Sequence, residues 1–337
     1  MTEDMVTFSL TAAHAFAVAA LTSAGANAAM AASLARATVD AEARSSHAVG
    51  FSHLVDYLES LLAGRINGKA EPRRTDPAPA LIRIDADGGI AQLSFDLAFD
   101  DLAEKARTFG IALFAQANSY TSGELGDYVF RLAEQGLVGL AATNGPALIA
   151  GSGGGKPVYC TNPLAFAAPR KGAAPLLIDQ SSSATAFVNI RETAARGEQI
   201  PPGWAVDAQG QPTTDATEAM KGAMRAFGGA RGANIALMVE VLAAGVSGAN
   251  WSLDAPGFAN GEQTPGSGLT VIAIAPSLLD EGFEDRLDIQ LTRLSTGYGI
   301  HIPGASKFAS SITAHSDGIR LPSALVSRIS AFAKGHG

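Results

Sequence analysis

Apolar residues recur at helical spacing throughout the first fifth of the chain. The spacing predicts helices over residues 12–22, 27–42 and 54–62, with Thr11 as the cap of the first. A glycine and an asparagine end the third helix, and the prolines within residues 71–79 indicate a linker. This first zone is therefore predicted to be helical throughout.

Further along, to about residue 275, short apolar runs alternate with helical stretches. Residues 95–109 form the clearest helix, because their apolar positions fall on one stripe and Gly110 ends it. This alternation predicts an α/β layer architecture with a mixed or partly parallel sheet. The predicted strands are 81–84, 111–115, 137–143, 160–169, 175–178 and 269–275, and the other predicted helices are 123–135 and 232–245.

From Asp280 the pattern is helical again, with a turn-rich break at residues 299–304. Helical ends around an α/β middle suggest that the two termini pack together. We therefore predict three regions. They are a helical N-terminal region over residues 1–75, an α/β domain over residues 76–276, and a helical C-terminal segment over residues 277–337.

Composition and charge exclude several classes of protein. Of the 337 residues, 47% are hydrophobic and 17% are charged, which is typical of a globular chain. The formal net charge is −8 and no basic run is longer than Arg73-Arg74, so a nucleic-acid-binding surface is not expected. Cys160 is the sole cysteine, which excludes an internal disulfide and a cysteine-based zinc site and fits a reducing compartment.

Neither a targeting segment nor a membrane segment is predicted. The alanine-rich residues 1–32 begin with acidic rather than basic side chains, and polar residues interrupt the apolar ones. No apolar stretch reaches the roughly 18 residues that a membrane span requires. We therefore expect a cytoplasmic protein without a membrane partner.

Common nucleotide, hydrolase and metal motifs are absent from the sequence. The glycine-rich run 151–156 has neither the spacing of the Gly-x-Gly-x-x-Gly fingerprint nor that of a phosphate-binding P-loop. There is no His-Glu-x-x-His zinc site and no Gly-x-Ser-x-Gly nucleophile elbow, and the six histidines are scattered. Without these motifs the sequence gives little support for hydrolytic or metal-dependent chemistry, and no metal is expected.

Four segments combine glycine, hydroxyl and charged groups beyond what a plain core needs. Asp179 and three serines follow the apolar run 175–178, so a carboxylate and hydroxyls stand at the carboxyl end of a strand, where α/β folds bind ligands. The serines can also cap the following helix, whose N-terminal amides suit a phosphate. Residues 227–232 open another helix, with an arginine beside three glycines that allow close approach of the backbone. The other two segments are 118–123 and 160–169. Helix caps and turns explain any one of the four, but their order along the chain is distinctive.

In this order the segments resemble the malate/L-lactate dehydrogenase-like family of non-Rossmann NAD(P)-dependent oxidoreductases. The family also contains sulfolactate and ureidoglycolate dehydrogenases and the Δ1-piperideine-2-carboxylate/Δ1-pyrroline-2-carboxylate reductases. The resemblance runs from about Thr7 to Pro276, and residues 243–252 and 263–265 look closest to the cyclic-imine reductase branch. The collinear matches are residues 57–59, 64–67, 70–72, 133–136, 161–163, 201–205, 212–215 and 236–240.

The resemblance implies an α/β, non-Rossmann malate/L-sulfolactate dehydrogenase-like fold, in which a mixed central sheet accompanies helical N- and C-terminal regions packed together. It also implies a homodimer with the active site near the subunit interface. Residues 76–276 would form the cofactor-binding domain, and NAD or NADP, in its reduced form, would donate hydride. The implied cofactor-binding residues are Ser119, Tyr120, Thr121, Thr143, Asn144, Thr161, Asn162, Ser181, Ser183, Gly228, Gly229 and Arg231.

The chain departs from the family where the chemistry is expected. Residues 46–50, Ser-His-Ala-Val-Gly, resemble the family's Ser-His-Gly motif, but counting back from Tyr57 gives two extra residues. The usual arginine beyond this motif then falls at His53 or Phe51. The other departures are Thr121 and Ala230, which each replace a histidine, and Arg231, which replaces a lysine.

These departures bear on the proton donor. A threonine hydroxyl is a far weaker acid than an imidazolium, so a ketone would be reduced slowly, whereas a protonated imine is already electrophilic. We therefore predict an NAD(P)H-dependent reductase that converts a small cyclic or open-chain α-imino acid, of Δ1-pyrroline-2-carboxylate or Δ1-piperideine-2-carboxylate type, to the L-amino acid. The alternatives are a 2-hydroxy-acid dehydrogenase of malate or lactate type and a degenerate protein that binds the nucleotide without turnover.

Five residues receive roles at the substrate. His47 is predicted to relay a proton, oriented or charge-supported by Asp179, while Thr121 hydrogen-bonds the acceptor atom. Arg231 or His53 is predicted to hold a carboxylate or a phosphate.

Overall fold

The computed structural model describes residues 4–333, and no helix in this range is long and apolar enough to cross a membrane. The strands are β1 (Met5–Phe8), β2 (Arg73–Ala78), β3 (Leu81–Asp85), β4 (Ile111–Ser119), β5 (Val138–Thr143), β6 (Ile149–Ala150), β7 (Pro157–Tyr159), β8 (Leu164–Ala168), β9 (Leu176–Gln180), β10 (Ala205–Val206), β11 (Pro212–Thr213), β12 (Ala223–Met224), β13 (Ser267–Ile274) and β14 (Ile319–Pro322). The helices are α1 (Leu10–Ser23), α2 (Ala28–Ala43), α3 (Phe51–Leu62), α4 (Ala91–Phe109), α5 (Leu125–Glu134), α6 (Phe187–Ala195), α7 (Ala216–Ala219), α8 (Ala230–Glu240), α9 (Phe283–Thr292), α10 (Ala305–Asp317) and α11 (Ser323–Ala333). Short 3₁₀ turns occur at His47–Val49 and Pro276–Leu278, and π-helical turns at Val241–Gly245 and Arg293–Gly297.

The central layer is a seven-stranded sheet with the order β2-β3-β4-β13-β5-β8-β9. Strands β3 and β4 are parallel, and the other neighbours in the sheet are antiparallel. Strands β3, β4, β5 and β9 therefore run in the same direction, and their carboxyl ends lie at one edge of the sheet. The predicted mixed sheet is confirmed, with one parallel pair.

Both faces of this sheet are covered. On one face, Phe114 of β4 and Val271 of β13 pack with Phe95 of α4 in an apolar core. On the other face, the hydroxyl of Thr270 donates to the backbone carbonyl of Leu242, in the π-helical turn after α8, at 2.6 Å. Residues 270 and 271 face opposite ways because side chains alternate along a strand. The sheet thus lies between α4 and α5 on one side and the end of α8 on the other.

The two ends of the chain pack together, as the sequence predicts. Strand β1 pairs antiparallel with β14, with Met5 opposite Pro322. Leu21 of α1 shares an apolar core with Leu321 of β14 and Ile329 of α11. Burial of this shared apolar surface holds the C-terminal segment against the N-terminal helices.

A smaller, five-stranded sheet with the order β11-β10-β12-β6-β7 carries the glycine-rich turn 151–156 between β6 and β7. Its Ile149 and Met224 share an apolar core with Ile190 of α6 and Ala233 of α8. This core sets the first turn of α8 beside the large sheet.

Three sequence predictions about the first hundred residues are wrong. The first zone is not helical throughout, because Met5–Phe8 forms strand β1 and pairs with β14. Ser9, and not Thr11, caps α1, because the backbone N–H of Ala12 donates to the Ser9 hydroxyl at 3.2 Å. The predicted linker over residues 71–79 contains the edge strand β2, whose register with β3 shifts between Thr75 and Ala78. A proline fits in an edge strand because its missing N–H can face away from the ladder.

Candidate functional site

The segments singled out in the sequence converge on one edge of the large sheet. Strands β4, β5 and β9 end at this edge, and residues 161–162 lead into β8, which runs the opposite way. The loop 120–124 follows β4, and in the first turn of α5 the N–H of Gly126 donates to Asp179 Oδ2 at 2.8 Å. Loops at the carboxyl ends of strands form the ligand cleft in many α/β proteins.

The start of α8 lies at the same edge, where the Phe227 N–H donates to the Ser182 carbonyl at 3.0 Å. Gly228 and Gly229 have φ values of +58° and +65°, and the space that their Cβ atoms would occupy is open in the described part of the chain. The first turn of a helix offers backbone N–H groups without partners inside the helix, and the exposed Arg231 adds a cation. Backbone amides, a guanidinium and open space fit the diphosphate of a nicotinamide nucleotide.

Four of the predicted cofactor-binding side chains are hydrogen-bonded within the protein. The hydroxyls of Ser119, Thr143 and Tyr120 donate to backbone carbonyls at 3.1, 2.7 and 3.2 Å. Asn144 accepts from one backbone N–H and donates to one backbone carbonyl, at 2.8 and 2.9 Å. All four residues are buried. Their bonds hold the backbone that shapes the cleft, and contact of these four residues with the cofactor stays a prediction.

Asn162 ties the edge to α8. Its side-chain amide donates to the Ala236 carbonyl and to a Glu240 carboxylate oxygen, both at 2.8 Å. Ser181 and Ser183 lie nearby with their hydroxyl oxygens 2.8 Å apart. The partly exposed Ser181 and Thr161 stay predicted cofactor contacts, as do Ser183 and Asn162.

Helix α3 brings His53 and Tyr57 against Thr121. The Tyr57 hydroxyl lies 2.6 Å from Thr121 Oγ1, and His53 Nε2 lies 3.3 Å from the same atom. Phe51, in contrast, is fully buried in the N-terminal core. His53, and not Phe51, therefore faces Thr121.

The predicted carboxylate-holding role of His53 does not fit this geometry. Its Nδ1 lies 2.9 Å from Asp56 Oδ2 and its Nε2 faces Thr121, so both ring nitrogens are engaged. Burial alone would raise the pKa of Asp56, but the hydrogen bond and charge of His53, with the more distant Arg191 and Arg328, outweigh it. The pKa of Asp56 therefore lies below its ordinary value, which keeps the carboxylate ionised beside the imidazole.

His47 pairs with a different carboxylate from the one predicted. It lies on the 3₁₀ turn before α3, its side chain is 64% exposed, and its Nδ1 is 2.5 Å from Glu42 Oε1. The other carboxylate oxygen of Glu42 accepts the Phe51 N–H at 2.9 Å. Glu42 thus replaces Asp179 as the partner of His47, because the turn points the ring back toward α2.

A buried ionic cluster lies beneath the cleft. Arg44 donates to Glu124 at 2.9 Å and to Asp127 at 2.7 Å. Ser46 and Lys307 both donate to the other carboxylate oxygen of Glu124, at 2.7 and 2.8 Å. Sequence reasoning did not find this cluster. Its members come from α5, α10, the segment after α2 and the residue before α5, and no local pattern links them.

Asp179 lies between the cleft and this cluster. Burial raises the pKa of Asp179 above its ordinary value, while the charge of Lys307 acts in the opposite direction and that of Glu124 adds to the rise. The backbone N–H of Leu177 donates to the Pro303 carbonyl at 3.4 Å, which places the turn-rich break of the C-terminal segment alongside β9. A carboxyl group with a raised pKa in a cleft is a candidate for proton exchange.

Known proteins resemble this chain over almost its whole length. A family model described as malate/L-lactate dehydrogenase matches residues 8–330. The (2R)-3-sulfolactate dehydrogenase (NADP(+)) of Chromohalobacter salexigens is 36% identical, over 96% of this chain and 97% of that protein. Δ1-pyrroline-2-carboxylate reductase 1 of Burkholderia ambifaria is also 36% identical, over 96% of each chain. The crystal structure of Δ1-piperideine-2-carboxylate reductase from Pseudomonas syringae pvar. tomato has a TM-score of 0.92 and 32% identity, over 97% of this chain and 99% of that chain.

These likenesses confirm the predicted family resemblance, the fold class and the NAD(P)-dependent oxidoreductase. The two relatives of equal identity carry the names of a hydroxy-acid dehydrogenase and an imine reductase. Further relatives at 34–38% identity are also named Δ1-pyrroline-2-carboxylate reductases, and the solved structure is a piperideine-2-carboxylate reductase, so these likenesses favour the predicted imine reductase. The sulfolactate dehydrogenase matches the alternative prediction only as a member of the same family.

Proposed function

Because this chain belongs to the malate/L-lactate dehydrogenase family, we propose that it reduces a small α-imino acid to the L-amino acid with NAD(P)H. The substrate is cyclic or open-chain, of Δ1-pyrroline-2-carboxylate or Δ1-piperideine-2-carboxylate type. The observation that carries this choice is the Thr121 hydroxyl, which is hydrogen-bonded to His53 and Tyr57 at the position where the family resemblance implies a histidine. A threonine is too weak an acid to protonate a ketone oxygen, whereas an imine nitrogen arrives already protonated.

Each region of the cleft has a part in this reaction. The reduced nicotinamide nucleotide supplies the hydride when it is bound. The first turn of α8, with Gly228 and Gly229, holds the diphosphate, and Arg231 holds a phosphate or the substrate carboxylate. Asp179 exchanges a proton with the product amine. His47, now with Glu42 as its partner, is the alternative proton donor.

The test is a comparison of substrates with the purified protein. NADH and NADPH are each mixed with pyrroline carboxylate, piperideine carboxylate, pyruvate and oxaloacetate, and loss of the reduced nucleotide is followed by absorbance. We expect kcat/KM for an imine to exceed that for either keto acid by about a hundredfold or more. A keto acid preferred over both imines contradicts the proposal. The same assay ranks NADH against NADPH.

A second candidate is a 2-hydroxy-acid dehydrogenase, which the 36% identity to a sulfolactate dehydrogenase favours. This reading predicts reduction of NAD(P)+ by sulfolactate, lactate or malate at rates that match or exceed imine reduction. Binding of NAD(P)H by fluorescence without turnover of any of these compounds would instead indicate a degenerate nucleotide-binding protein.

We also propose that the protein is a homodimer whose interface includes an apolar ridge formed by Leu237, Met238, Val241 and Trp251. All four side chains are exposed, and the Trp251 ring lies against Gly245, beside the helix that carries the other three. Exposed apolar surface of this kind is typical of subunit contacts. Because α8 starts at the cofactor segment, a second copy bound to the ridge would bring the interface near the active site. Light scattering should give a dimer mass that the double variant Leu237→Glu, Val241→Glu reduces to that of a monomer.

A cytoplasmic location is part of the same proposal. The proposed reaction draws on reduced nicotinamide nucleotide, and Cys160 is a buried free thiol whose pKa burial raises to about 11. Such a thiol neither needs an oxidising compartment nor reacts readily. Fractionation of cells that express the protein tests this location.

A further inference from the structure

A row of four hydrogen bonds joins Asp56, His53, Thr121, Tyr57 and Gln92. Asp56 Oδ2 lies 2.9 Å from His53 Nδ1, and His53 Nε2 lies 3.3 Å from Thr121 Oγ1. Thr121 Oγ1 lies 2.6 Å from the Tyr57 hydroxyl, which lies 3.1 Å from Gln92 Nε2. Tyr57 and Gln92 are buried, and Thr121 is partly exposed at the cleft.

The direction of this row follows from its acidic end. The ionised carboxylate of Asp56 accepts the Nδ1 proton of His53, and whenever the ring carries this single proton its Nε2 is an acceptor. Thr121 has a single hydroxyl proton, and this proton goes to Nε2. Tyr57 must then donate to Thr121, and its own oxygen accepts from the amide of Gln92. All four hydrogen bonds point toward Asp56.

From this direction we propose that Thr121 Oγ1 is a hydrogen-bond acceptor for the protonated nitrogen of the substrate. Asp56 and His53 are positioning residues that hold Thr121 in this state. Because the Thr121 proton is committed to His53, its oxygen offers the substrate a lone pair and no proton. A protonated imine has an N–H to donate, and a ketone has none.

In this arrangement the substrate nitrogen keeps its proton throughout the reduction. Addition of hydride at C2 moves the C=N π electrons onto that nitrogen. The neutral amine that results then takes a second proton from solvent or from Asp179. The inference rests on the proposed imine reduction and names the group that selects imines over ketones.

The first experiment measures binding and needs no turnover. L-proline and tetrahydrofuran-2-carboxylate have the same ring, with an N–H-bearing nitrogen in one and an oxygen in the other. Calorimetry on the protein saturated with oxidised nucleotide should show L-proline bound about 10- to 100-fold more tightly, as expected for a hydrogen bond to a charged group. Thr121→Val should abolish this preference, and Thr121→Ser should retain it. Thr217→Val, an exposed threonine on α7, is the matched control and should leave it unchanged.

The second experiment reverses the donor and acceptor roles in the hydrogen bonds of His53. In Asp56→Asn the amide can donate to His53 Nδ1, so the ring proton moves to Nε2 and is given to Thr121. The hydroxyl proton of Thr121 is then free to face the substrate. We expect the ratio of kcat/KM for piperideine carboxylate over pyruvate to fall about tenfold or more, with part of the fall from faster ketone reduction. A purely structural role for Asp56 would lower both rates together.

The results of these two experiments distinguish a failure of the Thr121 acceptor role from a failure of the proposed imine reduction. Retention of the L-proline preference by Thr121→Val, an unchanged substrate ratio in Asp56→Asn, or binding of neither probe overturns the inference. If the wild-type protein reduces no imine, yet its preference for L-proline disappears in Thr121→Val, the acceptor role stands and the proposed function fails.

Discussion

Lys307 donates its ammonium group to Glu124 Oε1 at 2.8 Å, although 183 residues separate the two in the chain. The bond joins α10 of the C-terminal segment to the start of α5. Among the charges that lower the pKa of Asp179, the ammonium group of Lys307 has the largest effect. Docking of the C-terminal segment is thereby linked to the charge state of a carboxyl group in the cleft.

Lys307→Met should raise the pKa of Asp179 further, because a positive charge that favours the ionised carboxylate is removed. Because Asp179 gives its proton to the product amine, turnover requires the protonated form, and the basic limb of the pH profile of kcat/KM moves to higher pH. Lys171→Met, which removes only an exposed pair with Asp285, is the control. A basic limb that stays in place would remove Asp179 from the rate-determining protonation.

Asp179→Asn should stabilise the fold and abolish activity. Burial raises the pKa of Asp179 in the folded protein, so ionisation favours the unfolded chain. The resulting penalty is absent at low pH, grows as the pH rises above the ordinary value of about 4, and is complete above the raised pKa. Urea unfolding should therefore show a larger free energy of unfolding than wild type at neutral pH and no gain at about pH 3. A gain of equal size at both pH values would point to packing instead.

Arg44→Leu should lower the free energy of unfolding by about 3 kcal/mol or more, because the carboxylates of Glu124 and Asp127 stay buried without their shared cation. Arg286→Ala is the control. Its partner Asp280 lies at the surface, where a lost ion pair costs less than about 1 kcal/mol. Similar unfolding midpoints for the two variants would show that the remaining cations already compensate the cluster; these are Lys307 at Glu124 and Arg36, whose Nη1 lies 3.2 Å from Asp127 Oδ2.

His47→Ala should change kcat by less than about threefold, because the His47 ring is exposed to solvent and paired with Glu42 rather than with a group in the cleft. Thr121→Val, assayed on an imine beside it, should lose far more. A loss of about a hundredfold in His47→Ala, in a chain that circular dichroism shows to be folded, would restore His47 as the proton donor.

Local patterns predicted most of the secondary structure. The predicted helix 95–109, which ends at Gly110, lies within α4. The apolar runs that begin at residues 111 and 269 lie in the neighbouring strands β4 and β13. The errors arose where tertiary pairing overrode local signals. The prolines of residues 71–79 read as a linker, yet Arg73–Ala78 has β3 beside it and forms an edge strand. The alignment before α3 was likewise open from the sequence alone, because the two extra residues before Tyr57 can be placed on either side of the Ser-His-Gly-like motif.

The sequence by itself determined the α/β class, the family and the order of the cofactor segments, because these depend on residues close together in the chain. Only the tertiary structure decided which side chains meet. His53 faces Thr121 across 68 residues and Lys307 faces Glu124 across 183, while His47 turns to Glu42 and away from Asp179. The direction of a side chain is set by the packing of its whole element, so these pairs appear only when the elements are assembled.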